Sequence, residues 1–241
     1  IPCAGTGQDG DKKMGVLWPT PRFTDNGNQT VTDNLTGLVW TRDAGTPTVG
    51  SCTGGTKNWQ GALDYVTCLN AASYLGYNDW RLPNRNELAS QSALQEKNPS
   101  LPIGNPFGNV SASYYWSSSA TSHSIFGAWV VSMYVNDLDS YNREGSSYLI
   151  WPVRGLSGVN ASSAVVKTGL TISYAAADDG NLKLGVAWPN PRFSSDVSSQ
   201  TATDNLTGLI WTVNASTPTV GSCSGGAKTW QGALDYIACL N

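Results

Sequence analysis

The chain has 241 residues, a net charge of −3, 40% hydrophobic and 13% charged residues, 26 Gly and 12 Pro. That is enough apolar material for one or two cored domains, under a surface of hydroxyl and amide groups rather than charge. Two classes are excluded: no basic stripe could neutralise nucleic-acid phosphates, and no run approaches the roughly 20 apolar residues of a spanning helix.

In chain order, "RFTDNGNQTVTD" (22–33) predicts a β-hairpin turning at Asn26-Gly27, and "TGLVWTR" (36–42) a following strand. "NWQGALDYVTCLN" (58–70) places Trp59, Leu63, Val66 and Leu69 at helical spacing and predicts an amphipathic helix. "DWRLP" (79–83) reads as a short strand stopped by proline. "NRNELASQSAL" (84–94) reads as a second helix, with Asn84 as N-cap and Glu87 at the capping-box position. A long loop follows, then three strand-like runs: "SYYWSSSA" (113–120), "GAWVVSMYV" (127–135) and "SYLIWPVRG" (147–155).

The front of the chain is spelled twice. "GVLWPTPRF" (15–23) returns as "GVAWPNPRF" (185–193), and 46–70 returns as 217–241. A period near 170 residues is a domain duplication, not a solenoid. The expected organisation is a complete domain over 1–156, a linker over 157–170, and the front part of a second copy over 171–241. The second copy is expected to need further sequence or another chain to cover its Trp230 helix, because an uncovered apolar face is costly.

Cys52 and Cys68 lie sixteen apart, as do Cys223 and Cys239. The reused spacing predicts two local disulfides, and hence an exported protein, secreted or at the cell surface. Cys3 has no repeat counterpart and reads as a cysteine with a partner elsewhere or as a reactive thiol.

Five ordered motifs, "PRFTDNGNQTVTDNLTGLVWTRDA", "WQGALDY", "DWRLPNRNEL", "YYWSSS" and "WPVRG", make the chain resemble the Lcl C-terminal domain family, the bacterial family named after a Legionella collagen-like adhesin. The resemblance covers 10–155 and resumes over 180–241. It implies a C-type-lectin-like α+β fold: two helices with small antiparallel sheets and long loops, in tandem copies. It also implies an exported, non-enzymatic binding module. The adhesin is associated with sulfated polysaccharides, but acidic residues slightly outnumber basic ones over 1–155, which argues against carrying that ligand over. The cysteine-dependent formylglycine-generating enzymes of the same fold group are not carried over either, since these cysteines read as disulfides.

His123, the one histidine, sits in a loop between two expected strands, so Ser-His-Asp chemistry is disfavoured and no catalytic residue is assigned. No cofactor is expected. A calcium site at Asp137, Asp139, Asn142 and Glu144 is weighed and set below an ordinary hairpin loop. Arg81, Glu87 and Arg154 read as a fold-fixing ionic network, and Trp40, Trp80, Trp116 and Trp151 as core. The expected ligand surface is the polar-aromatic stretch 133–148, with Tyr134, Asn136, Asp137, Asp139, Tyr141, Asn142, Arg143 and Tyr148 as contacts. Two functions follow. The first is an extracellular adhesion module for a glycan or surface protein. The second is a structural subunit of a surface fibre, self-associating through the incomplete second copy.

Overall fold

A computed structural model describes residues 4–122, 124–155 and 164–241. His123 and Cys3 lie outside them. The helices are Asp9–Lys12 (α1), Trp59–Ala71 (α2), Arg85–Ala89 (α3), Asp179–Leu182 (α4) and Trp230–Leu240 (α5). The strands are Phe23–Asp25 (β1), Thr30–Asp33 (β2), Val39–Thr41 (β3), Tyr114–Ala120 (β4), Gly127–Ser132 (β5), Leu138–Asn142 (β6), Val153–Arg154 (β7), Phe193–Asp196 (β8), Thr201–Asp204 (β9) and Ile210–Thr212 (β10). Few, short helices with small antiparallel sheets make this an α+β protein. It forms two compact units: Trp18–Ala187, and the described part of 1–17 with Trp188–Asn241.

In the Trp18–Ala187 unit one sheet runs β1-β2-β3-β7 and a second β4-β5-β6, all neighbours antiparallel. The second sheet divides two apolar clusters. Trp116 and Val130 face one, with Trp59, Leu63, Val66, Leu69 and Trp80. Tyr115 and Val131 face the other, with Leu38, Trp40, Leu88, Met133 and Trp151. A strand buried on both faces has no polar alternate positions, which is why "YYWSSSA" shows no simple alternation. Its serines instead bond outward: Ser117 Oγ donates to Trp129 O (2.8 Å) and Ser118 Oγ to Pro83 O (3.2 Å). Four of the buried indoles have their N–H groups satisfied, whereas that of Trp40 is buried without a hydrogen-bond partner among the described residues. Trp59 donates to Ser117 O, Trp80 to Tyr74 O and Trp116 to Lys57 O, each at 2.8 Å, and Trp151 to Thr41 O at 3.0 Å. Trp40, Trp80, Trp116 and Trp151 are all buried, as their motifs predict.

Local chemistry explains the element boundaries. Asn58 caps α2, its side chain accepting from Gly61 N. Both halves of the Asn84–Glu87 capping box form at α3. That helix ends at Ala89, short of the expected 94, because Ser90 Oγ bonds back to Glu87 O (2.7 Å) and the chain tightens into turns. "DWRLP" is reduced to one bridge, Arg81 to Val153. In "SYLIWPVRG" only Val153–Arg154 is a strand. Tyr148 pairs with Lys57 and Leu149 with Tyr115 before Pro152 interrupts. Cys52–Cys68 and Cys223–Cys239 are both bonded.

Two ion pairs brace this unit. Arg81 makes a bidentate contact with Glu87 at 2.7 and 2.9 Å, buried, and Arg22 does the same with Asp33 at 2.7 and 3.0 Å. Arg154 does not join the Arg81–Glu87 pair. It binds Asp79 at 2.6 Å in a half-exposed position and lies over the Tyr77 ring.

The other unit repeats the local geometry of the first. Arg192 grips Asp204 at 2.6 and 2.8 Å, as Arg22 grips Asp33, and the sheet β10-β9-β8 repeats the hairpin register of β1–β3. Here, however, the aromatic face is open. Trp211 is 57% and Trp230 64% exposed, whereas their sequence counterparts Trp40 and Trp59 are 0% and 2% exposed. No residue of α5 is buried.

Candidate functional site

The stretch expected to bind, 133–148, is not one loop. The strand β6 runs through its middle and separates two groups of the proposed contacts. Tyr134, Asn136 and Asp137 lie in the β5–β6 turn, which Asn136 closes with a left-handed backbone (φ 60°) and an N–H to Ser132 O. Tyr141 lies about 13 Å of strand away, near the end where Asn142 and Arg143 begin the next turn. Asn142 builds that turn, its Oδ1 accepting from Glu144 N (2.9 Å) and Gly145 N (3.1 Å). Its oxygen is spent on backbone, so a ligand role for it is disfavoured.

Tyr141 and Tyr148 do come together, and Tyr114 joins them. The three rings form a closed triangle: Tyr114–Tyr141 at 5.2 Å, Tyr114–Tyr148 at 5.3 Å and Tyr141–Tyr148 at 5.2 Å between centroids. Buried Trp116 supports it from below, 5.0 Å from Tyr148. All three tyrosines are half-buried, so the cluster is partly open to solvent. Hydrogen bonds with Tyr114 and with Asp139, helped by the Asp139 charge, push the Tyr141 phenol well above its ordinary pKa. Burial pushes up the Tyr148 phenol, against a lowering contact from Ser146. The cluster is therefore a neutral aromatic platform edged by hydroxyl groups and one carboxylate.

Tyr114 was not among the expected contacts. The signal for it was period two in "YYW": Tyr114 and Trp116 share a strand face and Tyr115 takes the other. Arg143 lies nearby in sequence but does a different job. Its carbonyl accepts from Trp59 N (2.9 Å), and its guanidinium lies 5.5 Å from the Trp59 ring and 4.8 Å from the Tyr174 ring. Arg143 Nη1 is buried without a hydrogen-bond partner.

Among the described residues no three His, Cys, Asp or Glu side chains converge as metal ligands, and Asp137, Asp139 and Glu144 are spread along the hairpin. No described helix is long and apolar enough to cross a membrane. A cleft of about 500 Å³ in the other unit, lined by Pro218, Val220, Ala233, Tyr236, Ile237 and Leu240, is part of its open apolar face and carries no converging charges.

Comparison with curated proteins gives no match. The family model described as the Lcl C-terminal domain matches residues 29–154, from the β1–β2 turn through β7, and so takes in both apolar clusters and the tyrosine triangle. With more than half of its length matched, the chain belongs to the Lcl C-terminal domain family.

Proposed function

We propose that the chain is an extracellular, non-enzymatic binding module that takes a neutral glycan on the Tyr114–Tyr141–Tyr148 platform. The observation that carries this reading is the triangle itself: three tyrosines packed on one another, Tyr114 and Tyr141 from the β4-β5-β6 sheet and Tyr148 from the segment after it, with the Asp139 carboxylate beside Tyr141. Aromatic rings pack on the C–H surface of a sugar ring, tyrosine hydroxyls donate to or accept from its hydroxyls, and a carboxylate accepts from them. The two disulfides fit an oxidising, extracellular setting. The return of 15–70 as 185–241 supports a tandem organisation in which 171–241 repeats the front of the first domain, and the resemblance to the family implies a C-type-lectin-like arrangement. The test is an array of neutral and sulfated oligosaccharides probed with the wild-type chain and Tyr141→Ala. Binding to a neutral glycan that falls at least tenfold in the variant is expected. An array with no binding, or binding indifferent to Tyr141, would overturn the assignment.

A second reading is a structural subunit of a surface fibre. The open face around Trp211, Trp230 and Ile237 favours it, since the same residues in the first repeat are covered by β4, β5 and the 148–154 segment. Particles that elongate with concentration, seen by light scattering and microscopy, support this reading; a constant monomer mass at high concentration removes it.

A further inference from the structure

Of the expected linker, 157–163 lies outside the described residues, and 164–170 is packed. Residues 164–187 form a strap laid on α3 and β4 of the Trp18–Ala187 unit. Asn84 Nδ2 donates to Leu184 O (3.2 Å), Asn86 Nδ2 to Val166 O (3.0 Å) and Ser119 Oγ to Asp179 Oδ2 (2.7 Å). Tyr174 and Ala175 pack against the α2 cluster, and Asp178, Asp179 and Gly180 are buried.

Residues 4–17 spell the same element at an offset of 170: Asp9-Gly10, Lys13 and Gly15-Val16 match Asp179-Gly180, Lys183 and Gly185-Val186. The backbone is already alike. Lys13 has φ 48° and Lys183 φ 50°; Gly15 has φ 116° and Gly185 φ 113°. Lys13 N donates to Asp9 O at 2.7 Å and Lys183 N to Asp179 O at 2.8 Å. The Gly7 amide donates to the Asp11 side chain as the Ala177 amide does to Asn181. The cap and the surroundings differ: Asp178 caps α4 through its side chain whereas Gln8 makes no such bond at α1, and Asp9, Gly10, Met14, Val16 and Leu17 are exposed.

We propose that residues 4–17 are a second strap, whose partner is the α3–β4 face of another Lcl C-terminal domain with that face free. The inference rests on the tandem reading. It makes the leading segment of each domain a clamp on its neighbour: Asp9 takes a serine hydroxyl placed as Ser119 is, and the Met14 carbonyl takes an asparagine placed as Asn84 is. Because the segment already holds the docked backbone, little ordering cost remains on binding. Ala4 and Gly5 stand where Tyr174 and Ala175 pack, so this strap binds less tightly than 164–187.

The test uses the full chain with its own strap released by Asp179→Lys. Gly180→Ala gives a second route, because its Cβ would lie 2.0 Å from the Ile172 carbonyl oxygen, inside the strap itself. Fluorescent synthetic peptides 4–19 and 165–189 are titrated by anisotropy, with the α2 amides monitored by hydrogen exchange to show that the unit is folded. Both peptides are expected to bind the released chains and not the wild type, peptide 4–19 roughly tenfold more weakly for want of the tyrosine. Asp9→Lys in the peptide, or Ser119→Val in the chain, should abolish its binding. If 165–189 binds and 4–19 does not, the strap assignment fails while the tandem and glycan readings stand. If neither peptide binds a folded, released chain, the α3–β4 face is not an acceptor and the proposal is overturned. Loss of glycan binding by Tyr141→Ala is read separately, so the two proposals fail independently.

Discussion

Asp179 carries a carboxylate into a buried position where two hydroxyls, from Ser119 and Thr168, donate to it. Burial raises its pKa; those hydroxyls lower it in part, and the charges of Glu87 and Asp178 raise it further. The folded chain therefore binds this proton up to a higher pH than the unfolded chain, whose carboxyl titrates near 3.8. The contribution to stability falls as pH rises from that value through the raised folded one. Protection of the Asn181 and Leu182 amides in α4, corrected for intrinsic exchange, should thus increase as the pH is lowered from neutrality toward the ordinary carboxyl value of 3.8. In Asp179→Asn the dependence should be flat; an unchanged profile in that variant would assign it elsewhere. At Trp80 the indole N–H bonds Tyr74 O and the ring sits 5.9 Å from Tyr77. Trp80→Ala should cost about 3–5 kcal/mol by denaturant titration, since both the apolar contacts and the filled volume are lost.

The elements owe their ends to side chains more than to propensity. In α3, Asn84 accepts from Glu87 N (2.9 Å) while Glu87 accepts from Asn84 N (2.9 Å), and the same Glu87 holds Arg81. Asn84→Ala should therefore cost at least the ~1 kcal/mol of a lost N-cap, and should also free the strap carbonyl of Leu184. Thermal melts read the first effect and exchange at 184–186 the second. The disulfide Cys52–Cys68 closes a sixteen-residue separation onto α2. In the chain-entropy model its removal costs roughly 3 kcal/mol, measurable by comparing Cys52→Ala/Cys68→Ala with the parent. The capping box, the helix start at Trp59 and the first hairpin were legible because each depends on residues a few positions apart. The length of α3, the fragmentation of 147–155 and the strand β6 were not. Ser90 choosing Glu87 O, and Tyr148 choosing Lys57, are decided by partners that only the folded chain brings near.

At the scale of the whole molecule the two spellings of one sequence live in opposite environments. Val66 of α2 is buried, whereas its counterpart Ile237 of α5 is exposed. In hydrogen exchange on residues 1–241 the amides of α2 should be far better protected than those of α5; equal protection would show that the open face is covered in solution. The core tryptophans were legible as such, because large aromatics inside apolar runs have one economical place to go. The tyrosine triangle was only half legible. Tyr141 and Tyr148 lie seven positions apart and point to each other, but Tyr114 reaches them across β5, a relation that sheet order sets and sequence distance hides. The Arg143 guanidinium has a further consequence. It lies between Trp59, which begins α2, and Tyr174 of the strap, two residues along from Tyr141 of the platform. A ligand that draws Arg143 toward the platform must loosen its contact with Tyr174. By thermodynamic reciprocity, strap release must then change ligand affinity by the same factor. Occupancy of the tyrosine platform and seating of the 164–187 strap would be two readings of one free energy.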